Sequence, residues 1–307
     1  MGYFSHILLN NVIPLCIMIC FGAILQRIFK LDIKTLSKLN FYLFSPVIVF
    51  KMLYESTISG SVLLQVLLFF LISIILLVTT TEIIMRIRKY KAGMRSAMRN
   101  SVIFYNSANY AIPLNQLVFV GDAFTMSIQI IIMMIQNLLP STYGVYSVNS
   151  HKNNLRTTLK MVFSMPSIYT IPFAFIMKGF AVPIPETLYI PINYVSSAFI
   201  ATALVTLGVQ LGSMKWQIKL SDVAISNFLR LIIGPLIGFL VVYLLGFHGL
   251  LAKALVLSSA VPTSLSSVLL AVEFDNEPEF ASQAIFSSTI FSIFTVTLVI
   301  YLLQFFP

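Results

Sequence analysis

Residues 62–78, VLLQVLLFFLISIILLV, carry apolar side chains almost without a break. A membrane strand would alternate apolar and polar residues with period two, and a water-facing helix would keep one polar side. This run does neither, and it approaches the roughly 20 residues a helix needs to cross a bilayer. Similar runs recur along the 307 residues, of which 58% are hydrophobic and 9% charged. A soluble domain carries about 25% charge. Too few polar side chains remain to coat a water-soluble core, which excludes a soluble enzyme, a nucleic-acid-binding domain and a disordered chain.

Ten apolar segments read as helical spans: residues 7–29, 35–54, 61–85, 100–119, 124–147, 160–181, 188–212, 222–246, 251–272 and 281–305. The expected class is an all-α polytopic membrane protein with short loops. Its net charge of +9 is concentrated in alternate loops. Arg27, Lys30, Lys34 and Lys38 follow the first span. Arg86, Arg88, Lys89, Lys91, Arg95 and Arg99 follow the third, Lys152, Arg156 and Lys160 the fifth, and Lys215 and Lys219 the seventh. These loops lie on one side and hold 15 of the 19 basic residues. The positive-inside rule makes that side cytoplasmic and puts both termini outside the plasma membrane. The first span does not read as a cleaved signal peptide, because its basic flank follows the helix.

Ten spans divide into five and five: residues 1–147, a linker at 148–159, and residues 160–307. Five is odd, so two similar halves must be inverted relative to each other, a plan that recurs among secondary transporters. The fourth span reads YNSANYAIPLNQLVFVGDAF and the ninth LSSAVPTSLSSVLLAVEFD. Aligning Ser107-Ala108 with Ser259-Ala260 places Pro113 and Pro262 shortly afterwards. Proline in mid-helix removes a backbone hydrogen bond, and in lipid the freed groups must be satisfied by protein, water or a bound ion. Asn106, Ser107 and Asn109 gather beside one proline, and Ser258, Ser259, Thr263 and Ser264 beside the other. Two broken helices of this kind present partly positive half-helix N-termini toward a midplane site that suits a small anion.

These motifs carry a resemblance. Asn106 stands seven residues before Pro113 in Ile112-Pro113-Leu114, and Ala260-Val261-Pro262 is followed by Ala271-Val272-Glu273-Phe274. In both, and over essentially its whole length, the chain resembles a bacterial member of the auxin efflux carrier family. It departs from that family at Ala111, where glycine is usual, and at Leu265-Ser266-Ser267, where an asparagine or second proline is frequent. The resemblance implies ten transmembrane helices in two inverted five-helix repeats, with spans four and nine broken and crossing at their prolines. It implies a scaffold of spans 1, 2, 6 and 7 and a moving transport domain of spans 3–5 and 8–10. It further implies a small organic anion as substrate, a carboxylate such as malate or an auxin-like acid, and a homodimer formed through the scaffold.

Ionisable residues inside spans are functional suspects. Glu82 lies four before Arg86, and Lys51 four before Glu55, the spacing of pairs on one helix face. Arg230 sits about two turns into the eighth span, where three roles are open to it: attracting an anion, pairing with Glu82, or snorkelling. Gln129, Gln136 and Asn137 share a face of the fifth span that must point into the bundle, to line the cavity or bond a neighbouring helix. Cys16 and Cys20 read as small hydrophobes, and His6, His151 and His248 lack metal-ligand spacing.

The leading expectation is therefore a secondary carrier of a small organic anion, held by Asn106, Ser107, Asn109, Pro113, Ser259, Pro262, Thr263, Gln136 and Asn137, with Glu82 and Arg230 as charge-coupling candidates. No cofactor, metal or nucleic acid is expected beside the substrate and the bilayer. The alternative is a sodium- or proton-coupled symporter or antiporter on the same plan. Those usually need midplane carboxylates, whereas Asp122 and Glu273 lie at span ends. A membrane enzyme would need an intramembrane Ser-His pair, paired acids or a His-Glu cluster, and the sequence offers none.

Overall fold

The computed structural model describes residues 2–56, 58–144, 147, 163, 166–214 and 220–305. The expected linker 148–159, His151 and the basic residues Lys152, Arg156, Lys160, Lys215 and Lys219 lie outside the described residues. The described helices are α1 (Phe4–Phe29), α2 (Ile33–Glu55), α3 (Gly60–Ile87), α4 (Ala92–Ile103), α5 (Ala111–Val118), α6 (Ala123–Gly144), α7 (Pro166–Gly179), α8 (Glu186–Ser213), α9 (Asp222–Leu244), α10 (Gly249–Ser259), α11 (Leu265–Glu273) and α12 (Pro278–Leu303). Among the described residues, seven are long and apolar enough to cross a membrane: α1, α2, α3, α6, α8, α9 and α12. They coincide with seven of the ten expected spans. The expected fourth and ninth spans are each a pair of shorter helices, α4–α5 and α10–α11, and the sixth is described from Pro166 onward.

Four of the described long helices contain a widened π turn: in α6 it is the last turn and begins on Pro140, and in the other three a proline follows two residues after it. Those three are Leu8–Val12 before Pro14, Asn40–Phe44 before Pro46, and Leu229–Ile233 before Pro235. Proline cannot donate to the carbonyl four residues back. The helix responds by letting the N–H just before the proline reach one residue further: Ile13 to Leu8, Ser45 to Asn40, Gly234 to Leu229. Such local π adjustments re-satisfy backbone inside a membrane. The α1–α2 turn ends differently. Lys30 takes a left-handed conformation, and Asp32 caps α2. The Thr35 hydroxyl and the Lys34 and Thr35 N–H groups hold the Asp32 carboxyl below the usual carboxylate range.

α1 runs along α8, and both α7 and α8 pack on α2. The α1–α8 seam is built on glycine. A Cβ on Gly22 would meet the Val205 carbonyl and Gly208, one on Gly208 would meet the Ile19 carbonyl, and one on Gly212 would lie 2.8 Å from the Ala23 carbonyl oxygen. Small residues let backbones approach this closely in membrane bundles, where dispersion and weak polar contacts drive association. A second set of contacts joins α9 to α3, α10 and α12, α10 to α6, and α3 to α4. Outward faces are apolar, as at Phe21, Ile24 and Ile28 of α1 and Leu64, Leu71 and Ile75 of α3.

At the basic end, Glu82 bonds Arg86 at 3.2 Å, also pairs with Arg95, and lies 3.7 Å from Arg99, so one carboxylate fastens α3 to α4. The i, i+4 pair expected from spacing is therefore part of a larger cluster. Lys51 and Glu55 pair at 3.8 Å, and Glu55 also accepts the Tyr189 hydroxyl. Glu82→Gln leaves three guanidinium groups without their carboxylate. It should destabilise the protein by about 1 kcal/mol, an effect visible as a lower melting temperature at low salt that narrows as salt screens the arginines.

Candidate functional site

The two helix pairs break at the same place in space. Between α4 and α5 the chain is extended at Phe104–Asn106, and between α10 and α11 at residues 261–264. The Asn106 N–H donates to the Pro262 carbonyl at 2.8 Å and the Ser264 N–H to the Phe104 carbonyl at 2.8 Å, forming an antiparallel bridge between Tyr105 and Thr263. Each broken segment thus satisfies the other's backbone, as a bilayer interior demands.

Side chains complete the accounting. The Thr263 hydroxyl donates to the Ser101 carbonyl at 2.8 Å, and Ser288 Oγ accepts the Thr263 N–H at 3.2 Å. Gln136 Nε2 donates to Ile103 O and Gln129 Nε2 to Ser107 O, both at 3.2 Å. The glutamine face expected to point inward does so, and it both bonds a neighbouring segment and, through Gln136, lines a cavity. Thr263→Val keeps the shape and removes one of these donors. It should cost about 1 kcal/mol, read as a lower melting temperature without a change in oligomeric state.

The prolines sit differently from the sequence expectation. Pro113 is the third residue of α5, where a missing N–H costs little, and the break precedes it at residues 104–110. Pro262 lies in the extended stretch itself, with its carbonyl taken by Asn106.

Beside the crossover is a cavity of about 190 Å³. Asn106, Ser107 and Asn109 contribute from the first break, Ser264 and Ser266 from the start of α11, and Gln136 and Asn137 from α6. The opposite wall comes from α2 and α8, with Asn40, Thr206 and Gln210. Asn40 Nδ2 donates to Thr206 Oγ1 at 2.6 Å. None of the lining residues is charged. Ligand pockets for drug-sized molecules run about 300–1,000 Å³, so this volume fits a smaller, polar guest.

Of the residues singled out from sequence, Asn106, Ser107, Asn109, Gln136 and Asn137 line this cavity. Pro113, Ser259, Pro262 and Thr263 are not among its lining residues; Pro262 and Thr263 build the bridge, and Ser259 borders a second, smaller cavity. Glu82 and Arg230 do not line it, nor do they form an ion pair with each other. Asn40, Thr206 and Gln210 escaped the sequence reading. The signal was available: Thr206 and Gln210 are i, i+4 polar residues in a strongly apolar helix, facing Asn40 across the bundle.

Asn106 is the most informative lining residue. Its Oδ1 accepts the Asn109 N–H at 3.1 Å, which fixes the orientation of the amide. Its Nδ2 is left with no protein acceptor among the described residues and is free to donate to a guest. The start of α11 lies on the same cavity, with Ser264 as its N-cap. The Ser266 and Ser267 N–H groups are taken by Ser264 itself, and what the helix start brings to the cavity is the positive end of its dipole, which favours an anion.

Residues 152–300 match a family model described as membrane transport protein. Over 107 residues the chain is 31% identical to an uncharacterized transporter of Methanothermobacter thermautotrophicus, covering 35% of each protein. Over 159 residues it is 23% identical to an uncharacterized transporter of Methanocaldococcus jannaschii, covering 50% of this chain and 52% of the relative. The chain thus spans about a third and about half of the lengths of these two relatives, and both are named as transporters. With its long apolar helices the chain is a multi-pass membrane protein, and over residues 152–300 it is similar to the membrane transport protein family.

Proposed function

We propose that the protein is a secondary carrier that moves a small organic anion across the plasma membrane by elevator-type alternating access. The observation that carries this reading is the uncharged polar cavity at the crossover, where Asn106 Nδ2 offers a donor and the start of α11 its positive dipole end to one guest. Its size favours a small carboxylate such as malate over a bulkier auxin-like acid. Each half would be a five-helix repeat, the second inverted relative to the first, making ten spans with both termini outside. The repeated order of helices, three followed by a broken pair and a long one, supports that plan.

The cavity lies between two groups of helices that pack mainly among themselves. We read α1, α2, α7 and α8 as the scaffold, which would also form any homodimer, and the remaining helices as the moving transport domain. Sliding the crossover past the polar wall of Asn40, Thr206 and Gln210 would carry the anion between the two sides.

A second reading, a sodium- or proton-coupled carrier on the same plan, is favoured by a different observation. The side-chain oxygens of Asn40, Gln136 and Gln210 have no donor partner, and oxygen is what sodium binds. Proteoliposomes holding the purified chain test both. The anion reading expects uptake of at least one labelled carboxylate from a broad panel without imposed sodium. Uptake that requires a sodium or proton gradient supports the second reading, and no uptake under any gradient overturns both.

A further inference from the structure

Among the described residues, Arg230 is the largest side chain that the fold buries completely, at 1% exposure, about eight residues into α9. A buried cation in a membrane bundle pairs with a carboxylate or with backbone carbonyls. No salt bridge to Arg230 exists among the described residues. Its partners are backbone carbonyls instead. Nη1 donates to Val102 O at 3.1 Å, and Nη2 donates to Ser259 O. These two carbonyls belong to the last turn of α4 and the last residue of α10, the C-terminal ends of the two helices that stop at the crossover.

A helix that stops inside a bilayer leaves carbonyls unbonded and a partial negative charge at its C-terminus. Here two such ends converge, and one guanidinium fork spans them. The fold is shaped around it. A Cβ on Gly234, one turn along α9, would lie 2.9 Å from Nη2, and a Cβ on Gly238 would run into the Ser259 side chain. Both glycines bring α9 close enough for the fork to reach. The guanidinium carbon also stands 4.7 Å from the centre of the Tyr105 ring, a cation–π distance. Tyr105 borders the small cavity beside Arg230 on one side and the large polar cavity on the other. The charge therefore sits behind the wall of the proposed anion site without touching its contents.

We propose that Arg230 is a tethered cation: its guanidinium holds the place that a bound monovalent cation would otherwise take at the carbonyl ends of the two broken helices, so that anion binding at the crossover needs no such ion there. The positive charge is covalently part of the transport domain, and an anion on the far side of Tyr105 meets it in every conformation of the carrier. The part of this that concerns anion binding rests on the carrier reading above; the part that concerns the helix ends does not.

The test uses the full-length chain in lipid nanodiscs, with Arg230→Ala, Arg230→Lys and Arg230→Met beside the wild type. Arg230→Ala opens the site, so its melting temperature should fall and recover when guanidinium is added at millimolar, non-denaturing concentration, while the wild type does not respond. Carboxylate binding to Arg230→Ala should be roughly tenfold weaker and recover with the same addition. If Arg230→Ala does not fold, Arg230→Lys must melt well above Arg230→Met, because lysine keeps the charge and methionine only the stem. Guanidinium without effect on Arg230→Ala, or Arg230→Met as stable as Arg230→Lys, overturns the proposal. A wild type that binds no carboxylate overturns the carrier reading and leaves the guanidinium rescue to be judged on melting alone.

Discussion

Gly208→Leu is expected to leave no monodisperse protein after extraction. The position lies on the α1–α8 seam, where even the first carbon of a side chain would strike the Ile19 carbonyl and the backbone of Gly22. Backbone cannot swing aside as the end of a flexible side chain can, so the two helices would have to part along their length. Gly208→Ala places only that first carbon, and it should cost about 1–3 kcal/mol, the usual range for overpacking. Gly60→Ala is the control, since a Cβ there meets nothing within 4 Å, and it should melt with the wild type. Size-exclusion profiles and melting temperatures of the three variants give the answer. If Gly208→Leu elutes and melts normally, the seam is not where this structure places it.

Asn106→Asp should abolish binding of an anionic guest while leaving the fold nearly intact. The new carboxylate has the shape of the amide and can still accept the Asn109 N–H through one oxygen. Its second oxygen replaces the amide nitrogen, turning the donor offered to the cavity into an acceptor with negative charge. A hydrogen bond to a charged group contributes about 1.5–3 kcal/mol, and repulsion adds to that loss, so affinity should drop by more than a hundredfold. Asn106→Ala removes the donor without adding charge and should lose roughly tenfold to a hundredfold. The order wild type, alanine, aspartate is the signature of an anion site. A cation-binding site would place aspartate first.

How far the sequence disclosed this arrangement differs from element to element. The long helices announce themselves through continuous apolar runs such as residues 62–78, because a lipid-facing helix needs no polar side. The crossover was legible from Asn106, Ser107 and the paired prolines, since polar residues crowded into a span need partners. What misled was the weight put on Pro113: proline marks the first turn of a helix as readily as a break, and here it follows the break. The far wall was missed because Asn40, Thr206 and Gln210 are single polar residues in apolar helices, and only packing shows that three of them face one space. Arg230 left its partners undetermined for a related reason. Backbone carbonyls at a helix end carry no side-chain signature, so a charge search looks for Glu82, which is already held by Arg86, Arg95 and Arg99.

The claim that unites these observations is that the crossover cavity holds a small anion on the Asn106 amide. A thermal-shift titration tests it most directly, with the purified wild type and Asn106→Asp side by side against mono- and dicarboxylates, amino acids and indole acids. The account predicts that at least one small carboxylate raises the wild-type melting temperature and leaves Asn106→Asp unmoved. A carboxylate that stabilises both proteins equally, or a wild type that responds to sodium or a neutral solute and to no carboxylate, contradicts it.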